Sequence, residues 1–267
     1  MNGLEKDCTL LVNTCDSYSD VWDGFFKLLQ IQWPNIKMPI VLNTEKMSYK
    51  FETLNIKVLN AVDGEGEKIW GKRILDVLNR IETRYVLFVL EDFYLESPVR
   101  VKMIEECYQY MEENSNIACF SFYPVLDENN ISSSKYIGFE KRPQKGKYKL
   151  NCQIALWNKD ILTKCIRKHE NPWEWELWGS RRSSRYKYEF YTLKQDETPV
   201  FNYSRGKIIM RGRWWKEYSD PLNTKYDLRL DYTKRESYEE YLENKPKRKR
   251  NLIRGIKNRI NKIKSLI

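Results

Sequence analysis

Apolar residues along the chain fall into short unbroken runs separated by stripes of helical spacing. Residues 8–15 (CTLLVNTC), apolar through Leu10–Val12, predict a first strand ending in a polar turn at Asn13, Thr14, Cys15, Asp16 and Ser17. Val21, Trp22, Phe25, Phe26, Leu28 and Leu29 then recur at helical spacing, with Ser19 or Asp20 as N-cap and a stop before Trp33-Pro34. Residues 38–42 and 54–62 carry the second and third strands. Asp63-Gly64-Glu65-Gly66 is a turn by composition. A helix over 68–81 leads into the longest apolar run, YVLFVL from Tyr85, which stops at the adjacent acids Glu91 and Asp92. A run of this kind suits a strand covered on both faces, as in a parallel α/β sheet.

Beyond it, Ser97-Pro98 opens a predicted helix to about Glu113, and 117–122 is another buried strand. Residues 127–146 read as loop, 148–157 as strand, 160–168 as helix and 171–180 as a short helix with a Pro start. Residues 189–193, 200–203 and 207–210 are expected to form a late β-meander. The expected fold is α/β, a doubly wound, mostly parallel sheet with an acceptor-side subregion and a basic C-terminal helix. Its divisions are 1–123, 124–244 and 245–267.

Composition narrows the chemistry. One histidine, His169, in 267 residues argues against a Ser-His-Asp triad or a His-rich zinc site and leaves acid–base work to carboxylates. Six scattered cysteines with no C-x-x-C pattern read as reduced thiols of a cytosolic protein. Neither a secretory signal nor an apolar stretch of transmembrane length is expected. The net charge of +10 is concentrated in ten Lys and Arg from Lys245 onward, where there is no acid; the other 37 basic and 37 acidic residues balance. A neutral body is not the basic face that nucleic acid would need, so no nucleic acid is expected as partner. Ile253, Ile256, Ile260, Ile263 and Ile267 make a narrow stripe flanked by these cations, the pattern of a helix lying on an anionic membrane surface.

Two acidic places stand out. Ligands of open α/β sheets gather beyond the carboxyl ends of strands, where Glu91 and Asp92 lie. Carboxylates there suit Mg²⁺ or Mn²⁺, which keep positions for phosphate oxygens. Because successive strand residues face opposite ways, Asp92 is the one expected to face the site unless the chain turns at Glu91. Glu174 and Glu176, in PWEWELW, lie among three Trp, and burial beside indole rings raises a carboxyl toward general-base range.

Three segments together resemble the bacterial GT-A-type glycosyltransferases of surface-polysaccharide (capsular or O-antigen) synthesis: NTCDSYSDVWDGFFKLLQIQWP, WGKRILDVLNRIETRYVLFVLEDFYL, and NCQIALWNKDIL with NPWEWELWGS. The resemblance implies a nucleotide-sugar donor held by Thr14, Asp16 and Ser17 after the first strand and by Asp63 after the third. Lys72 and Arg73 would meet phosphate, Glu91 and Asp92 would flank the diphosphate, and Asp92 would hold Mn²⁺ or Mg²⁺. Glu stands at position 91 where the family pattern has its first Asp. Glu176, or in competition Glu174, would be the base that takes a proton from a lipid-linked glycan acceptor, in an inverting transfer at the cytoplasmic membrane face. The alternatives are a nucleotidyltransferase of related fold and a non-enzymatic membrane or nucleic-acid adaptor using the basic tail.

Overall fold

The computed structural model describes residues 3–60, 69–124, 132–204, 208–244 and 264–265. The turn at 63–66, with Asp63, and almost all of the basic tail lie outside the described residues.

Among the described residues nine strands form one sheet. They are β1 (Cys8–Asn13), β2 (Ile40–Asn43), β3 (Ile56–Leu59), β4 (Tyr85–Leu90), β5 (Ile117–Ser121), β6 (Ser132–Ser133), β7 (Phe139–Lys141), β8 (Ala155–Asn158) and β9 (Glu189–Leu193), in the order β3-β2-β1-β4-β8-β5-β9-β7-β6. β1 to β4 pair in parallel, β5 and β9 also pair in parallel, and β8 is inserted antiparallel between β4 and β5. Only β8 and β7 therefore run against the other seven, and the expected mostly parallel α/β sheet is what forms. β8, from beyond residue 123, lies between β4 and β5 from before it.

The unbroken apolar runs of β1 and β4 are buried on both faces because side chains alternate across the sheet. A short helix, α1 (Gly3–Asp7), leads into β1. Leu10, Val12, Leu87 and Val89 pack with the helices α2 (Ser19–Gln32) and α4 (Val101–Glu113), with Phe26, Leu28 and Ile104 fully buried. Leu11, Val86 and Phe88 face the opposite layer, formed by α3 (Trp70–Arg80), α5 (Lys159–Cys165) and Trp175.

Several boundaries differ from expectation, each for a local reason. A single 3₁₀ turn, Asp16–Tyr18, precedes α2, whose N-cap Tyr18 makes no side-chain cap; Asp20 is engaged elsewhere. The helix predicted from Ser97 opens at Val101, because the amides of Val99 and Arg100 donate to the carbonyls of Gln32 and Val200. The strand predicted over 148–157 shortens to β8. Upstream of it, the amides of Leu150 and Cys152 bond Ser180 Oγ and Glu176 Oε1, side chains of the helical stretch over 172–183 beyond α5, instead of a sheet neighbour. Among the described residues no late meander forms. β9 is the parallel partner of β5, Tyr203 makes one isolated bridge to Leu95, and β10 (Ile209–Met210) pairs with β11 (Arg213–Trp214) as a separate hairpin. Its turn has Arg211 at φ 54° and Gly212 at φ 77°, two successive left-handed residues as a type I′ hairpin requires.

Candidate active site

The chain runs from β1 outward through β2 to β3 and then returns to the other side of β1 as β4. The connections that leave β1 and β4 lead to opposite flanks, which makes the carboxyl ends of these two strands the switch point of the sheet. Asn13 and Leu90 end β1 and β4 in register. One residue further on, Thr14 and Glu91 emerge side by side into a cleft of about 680 Å³.

The chain does turn after Leu90, with Phe93 N–H donating to the Leu90 carbonyl at 3.3 Å, and this brings both Glu91 and Asp92 to the cleft. Glu91 is 7% exposed. Burial raises its carboxyl pKa, the neighbouring Asp92 charge raises it further, and Thr14 and Arg73 act in the opposite sense. Burial also raises Asp92, whose Oδ1 is buried with no hydrogen-bond partner. Arg73, 6% exposed, reaches in from α3: its Nη2 donates to the Thr14 carbonyl at 2.7 Å, while Nε and Nη1 are buried without partners. A cation and two carboxylates therefore share one pocket with unused hydrogen-bonding capacity, which suits a charged ligand better than an apolar one.

The start of α3 is held by Gly71, whose N–H donates to the Glu170 carbonyl at 2.9 Å. A Cβ at Gly71 would lie 2.1 Å from the Arg167 carbonyl oxygen, so this close approach of backbone to backbone needs glycine. Glu170 in turn forms a fully buried pair with Arg182, whose Nη1 and Nη2 lie 2.8 and 3.0 Å from its two carboxylate oxygens. Arg182 also donates to the Ser265 carbonyl, and Ser265 Oγ lies 2.9 Å from His169 Nε2. The lone histidine thus meets the tail and does not line the cleft.

The opposite wall is a helix in three pieces: α6 (Pro172–Glu174), a π-helical turn over Trp175–Gly179, and α7 (Ser180–Ser183). Glu176 faces the cleft. One of its oxygens is oriented by the Cys152 amide at 2.9 Å, and burial raises its pKa against the opposing effect of that bond. Glu174 does not line the cleft. It closes a capping box, its carboxylate accepting from Asn171 N–H at 3.1 Å while Asn171 Oδ1 accepts from Glu174 N–H at 3.0 Å.

Of the residues expected to hold a donor, Thr14, Arg73, Glu91 and Asp92 line the cleft. Asp16, Ser17 and Lys72 do not. Asp16 spends both carboxylate oxygens on the amides of Glu45, Lys46 and Met47, which braces the turn after β1 against the turn after β2. Ser17 is exposed and pairs with Cys15 Sγ at 3.1 Å, and Lys72 is exposed on α3.

The contribution from the late chain was not anticipated. Ile209, Arg211 and Gly212 of the hairpin close one side of the cleft, beside Tyr18. Arg235 fastens them there: its guanidinium pairs with both oxygens of Asp20, donates to the carbonyls of Ser17 at 2.7 Å and Gly212 at 3.1 Å, and lies over the Tyr18 ring. An Arg-Gly dipeptide between Ile209-Met210 and Arg213-Trp214 was the available signal, but its short flanks gave no period to read.

For a divalent cation the fit is partial. Among the described residues no three His, Cys, Asp or Glu side chains converge as a ready metal cage. The buried, unpartnered Asp92 oxygen nonetheless fits one bond to a hard cation whose remaining positions are filled by phosphate or water.

No family model and no curated protein matches this sequence. Among solved structures, the chain is similar to S. aureus TarS 1–349 in complex with UDP, at 13% identity over 85% of this chain and 66% of that one, with a TM-score of 0.45. It is also similar to the galactosyltransferase LgtC in complex with donor and acceptor sugar analogs, at 11% identity over 58% and 59% of the two chains, TM-score 0.39. A third is the bifunctional IspDF from Campylobacter jejuni, at 11% identity over 77% and 54%, TM-score 0.42. The chain spans 36% of the longer S. aureus TarS chain. These are remote likenesses of general layout, and the functional reading below rests on the site itself.

Proposed function

We propose that this protein is a GT-A-type glycosyltransferase that moves a hexosyl group from a nucleotide-diphosphate sugar to a hydroxyl of a lipid-linked glycan in surface-polysaccharide synthesis. One observation carries the reading: a buried cation and two buried carboxylates at the switch point of the sheet face, across one cleft, a third carboxylate with a raised pKa. In this reading Thr14 and Arg73 hold the donor, and Arg73 stabilises the negative charge that grows on the diphosphate as it leaves. Asp92, with Glu91 beside it, would hold Mn²⁺ or Mg²⁺, which neutralises charge on the diphosphate when bound. Glu176 takes the proton of the attacking hydroxyl, its raised pKa making it a better base than an exposed carboxylate. Attack from the side opposite the leaving group makes the transfer inverting.

The test is a thermal-shift panel of nucleoside diphosphates and nucleotide sugars with and without Mn²⁺, followed by turnover of Glu176→Gln. A ligand at a hundredfold its dissociation constant adds about 2.7 kcal/mol of stability. Glu176→Gln should keep that shift and lose roughly 10²- to 10⁴-fold in turnover. A flat panel would remove the donor site.

Work at the inner membrane face is part of the proposal, supported by the isoleucine stripe and its basic flanks. No helix among the described residues is long and apolar enough to cross a membrane. Ser265 accepts from Arg182, which stands on the same helical stretch as Glu176. Replacing Lys247, Arg248, Lys249 and Arg250 by Gln should weaken cosedimentation with vesicles rich in phosphatidylserine by several kcal/mol, at about 1 kcal/mol per cation. Equal sedimentation would sink the anchor.

A further inference from the structure

Among the exposed large apolar side chains of the described residues, Trp173 is the one that lines the cleft, and it is 76% exposed. Its neighbours in sequence behave differently. Trp175 is 1% exposed and packs against Trp70 and Trp157, and Trp178 lies under the Arg181 guanidinium. Leaving an indole in water forgoes the burial free energy that a core position would supply. A side chain kept in that state on an irregular loop would need no explanation, but Trp173 stands on a capped helical turn. Pro172 opens the helix, and the reciprocal Asn171–Glu174 capping box closes its first turn around Trp173.

Trp173 and Glu176 are three residues apart on one helix, a spacing that places them on the same face, and both line the same cleft. The donor-side groups Thr14, Glu91 and Asp92 come instead from the ends of β1 and β4. The cleft thus sets a preorganised flat apolar face beside the carboxylate proposed as base. A sugar ring matches that pair: the C–H bonds on one face of a pyranose form an apolar surface, and its hydroxyls project around the edge.

We infer that Trp173 is the acceptor platform, stacking a neutral pyranose ring of the glycan so that one of its hydroxyls reaches Glu176. This rests on the glycosyltransferase reading for the role of Glu176, but ring binding at Trp173 can be measured without it. The substituted residue is Trp173→Leu, which keeps an apolar side chain on an exposed turn and leaves the capping box intact.

The experiment follows the indole N–H resonance of Trp173, assigned by its loss in Trp173→Leu, in the full chain titrated with methyl β-D-glucopyranoside, methyl β-D-galactopyranoside and cellobiose. The nucleoside-diphosphate thermal shift is recorded on the same two proteins. At least one glycoside should move the Trp173 resonance, and Trp173→Leu should weaken that glycoside about tenfold or more, the loss usual when a central aromatic anchor is truncated. The nucleoside-diphosphate shift should be the same in both proteins. Where a glycoside is also glycosylated, the variant should raise its KM by the same factor with kcat little changed. Equal glycoside affinity in both proteins, or no response of the Trp173 resonance to any of the three, overturns the platform. Loss of the nucleotide shift in Trp173→Leu also overturns it, by assigning the ring to the donor. A flat nucleotide panel in the unsubstituted protein instead removes the donor site, and the glycoside titration still decides the platform.

Discussion

Asp92→Asn is expected to lower transfer by about 10²- to 10³-fold, the usual cost of losing a charge-stabilising group, while the thermal midpoint stays level or rises. The two halves of that result have one cause. Burial raises the pKa of Asp92, its Oδ1 has no partner within the fold, and its charge opposes that of Glu91. A group held this way costs the folded state stability when ionised and is worthwhile only to a ligand. Asn removes the charge and the repulsion together.

The sign can be checked by pH. A carboxyl whose pKa is higher in the folded than in the unfolded chain binds its proton more tightly when folded, so its contribution to stability falls as pH rises. Below the ordinary carboxylate range, about pH 4, both states are protonated and the variant and parent should differ little. The midpoint of Asp92→Asn should pull ahead as the pH rises above that. Thermal melts of both proteins from acid to neutral pH measure it. Near-normal turnover in Asp92→Asn would end the donor-site assignment, whereas a lower midpoint at every pH would mean that Asp92 is structural.

Glu170→Gln carries the largest expected cost to the fold. Side chains of Glu170 and Arg182 are 0% and 1% exposed, and the carboxylate accepts both guanidinium bonds and the Arg167 amide at 3.0 Å. Removing one partner of a buried pair leaves an uncompensated charge, with a loss of about 3–5 kcal/mol. Urea unfolding of the variant gives that number directly. Replacing both residues together, Glu170→Leu with Arg182→Met, should cost less than Glu170→Gln alone, since no buried charge is then stranded. Because the Glu170 carbonyl holds Gly71 at the start of α3, the single variant should also weaken nucleoside-diphosphate binding through Arg73. A loss below about 1 kcal/mol would place this pair with solvent-screened surface bridges.

Local pattern accounts for much of the molecule. The unbroken runs at Leu10–Val12 and Tyr85–Leu90, and the helical stripe from Val21 to Leu29, became β1, β4 and α2, because burial on both faces of a strand or on one face of a helix is a property of residue spacing alone. Acid at the end of β4 followed from the same reading. The differences share another cause. Asp16 and Glu174 are as acidic in the sequence as Asp92 and Glu176, but Asp16 meets three backbone amides from a turn thirty residues away, and Glu174 meets the amide of its own N-cap. Glu176 also accepts a backbone amide, from Cys152, so what separates these carboxylates is that Asp92 and Glu176 line the cleft and Asp16 and Glu174 do not, and which of them reach it depends on the fold.

The amino-acid sequence by itself determined that this protein builds a two-faced, mostly parallel α/β sheet, that carboxylates stand where its fourth strand ends, and that its net positive charge comes from a tail. Only the tertiary structure decided which of these groups share a cleft. The register of β1 with β4 places Thr14 beside Glu91, the Gly71 contact lets Arg73 enter from α3, the Cys152 amide turns Glu176 inward, and Arg235 draws the Arg211-Gly212 turn over from the far end of the chain. Periodicity is set by neighbours a few residues away, whereas each of these juxtapositions joins residues 23 or more apart, and no local spacing encodes which of the possible long-range partners will meet.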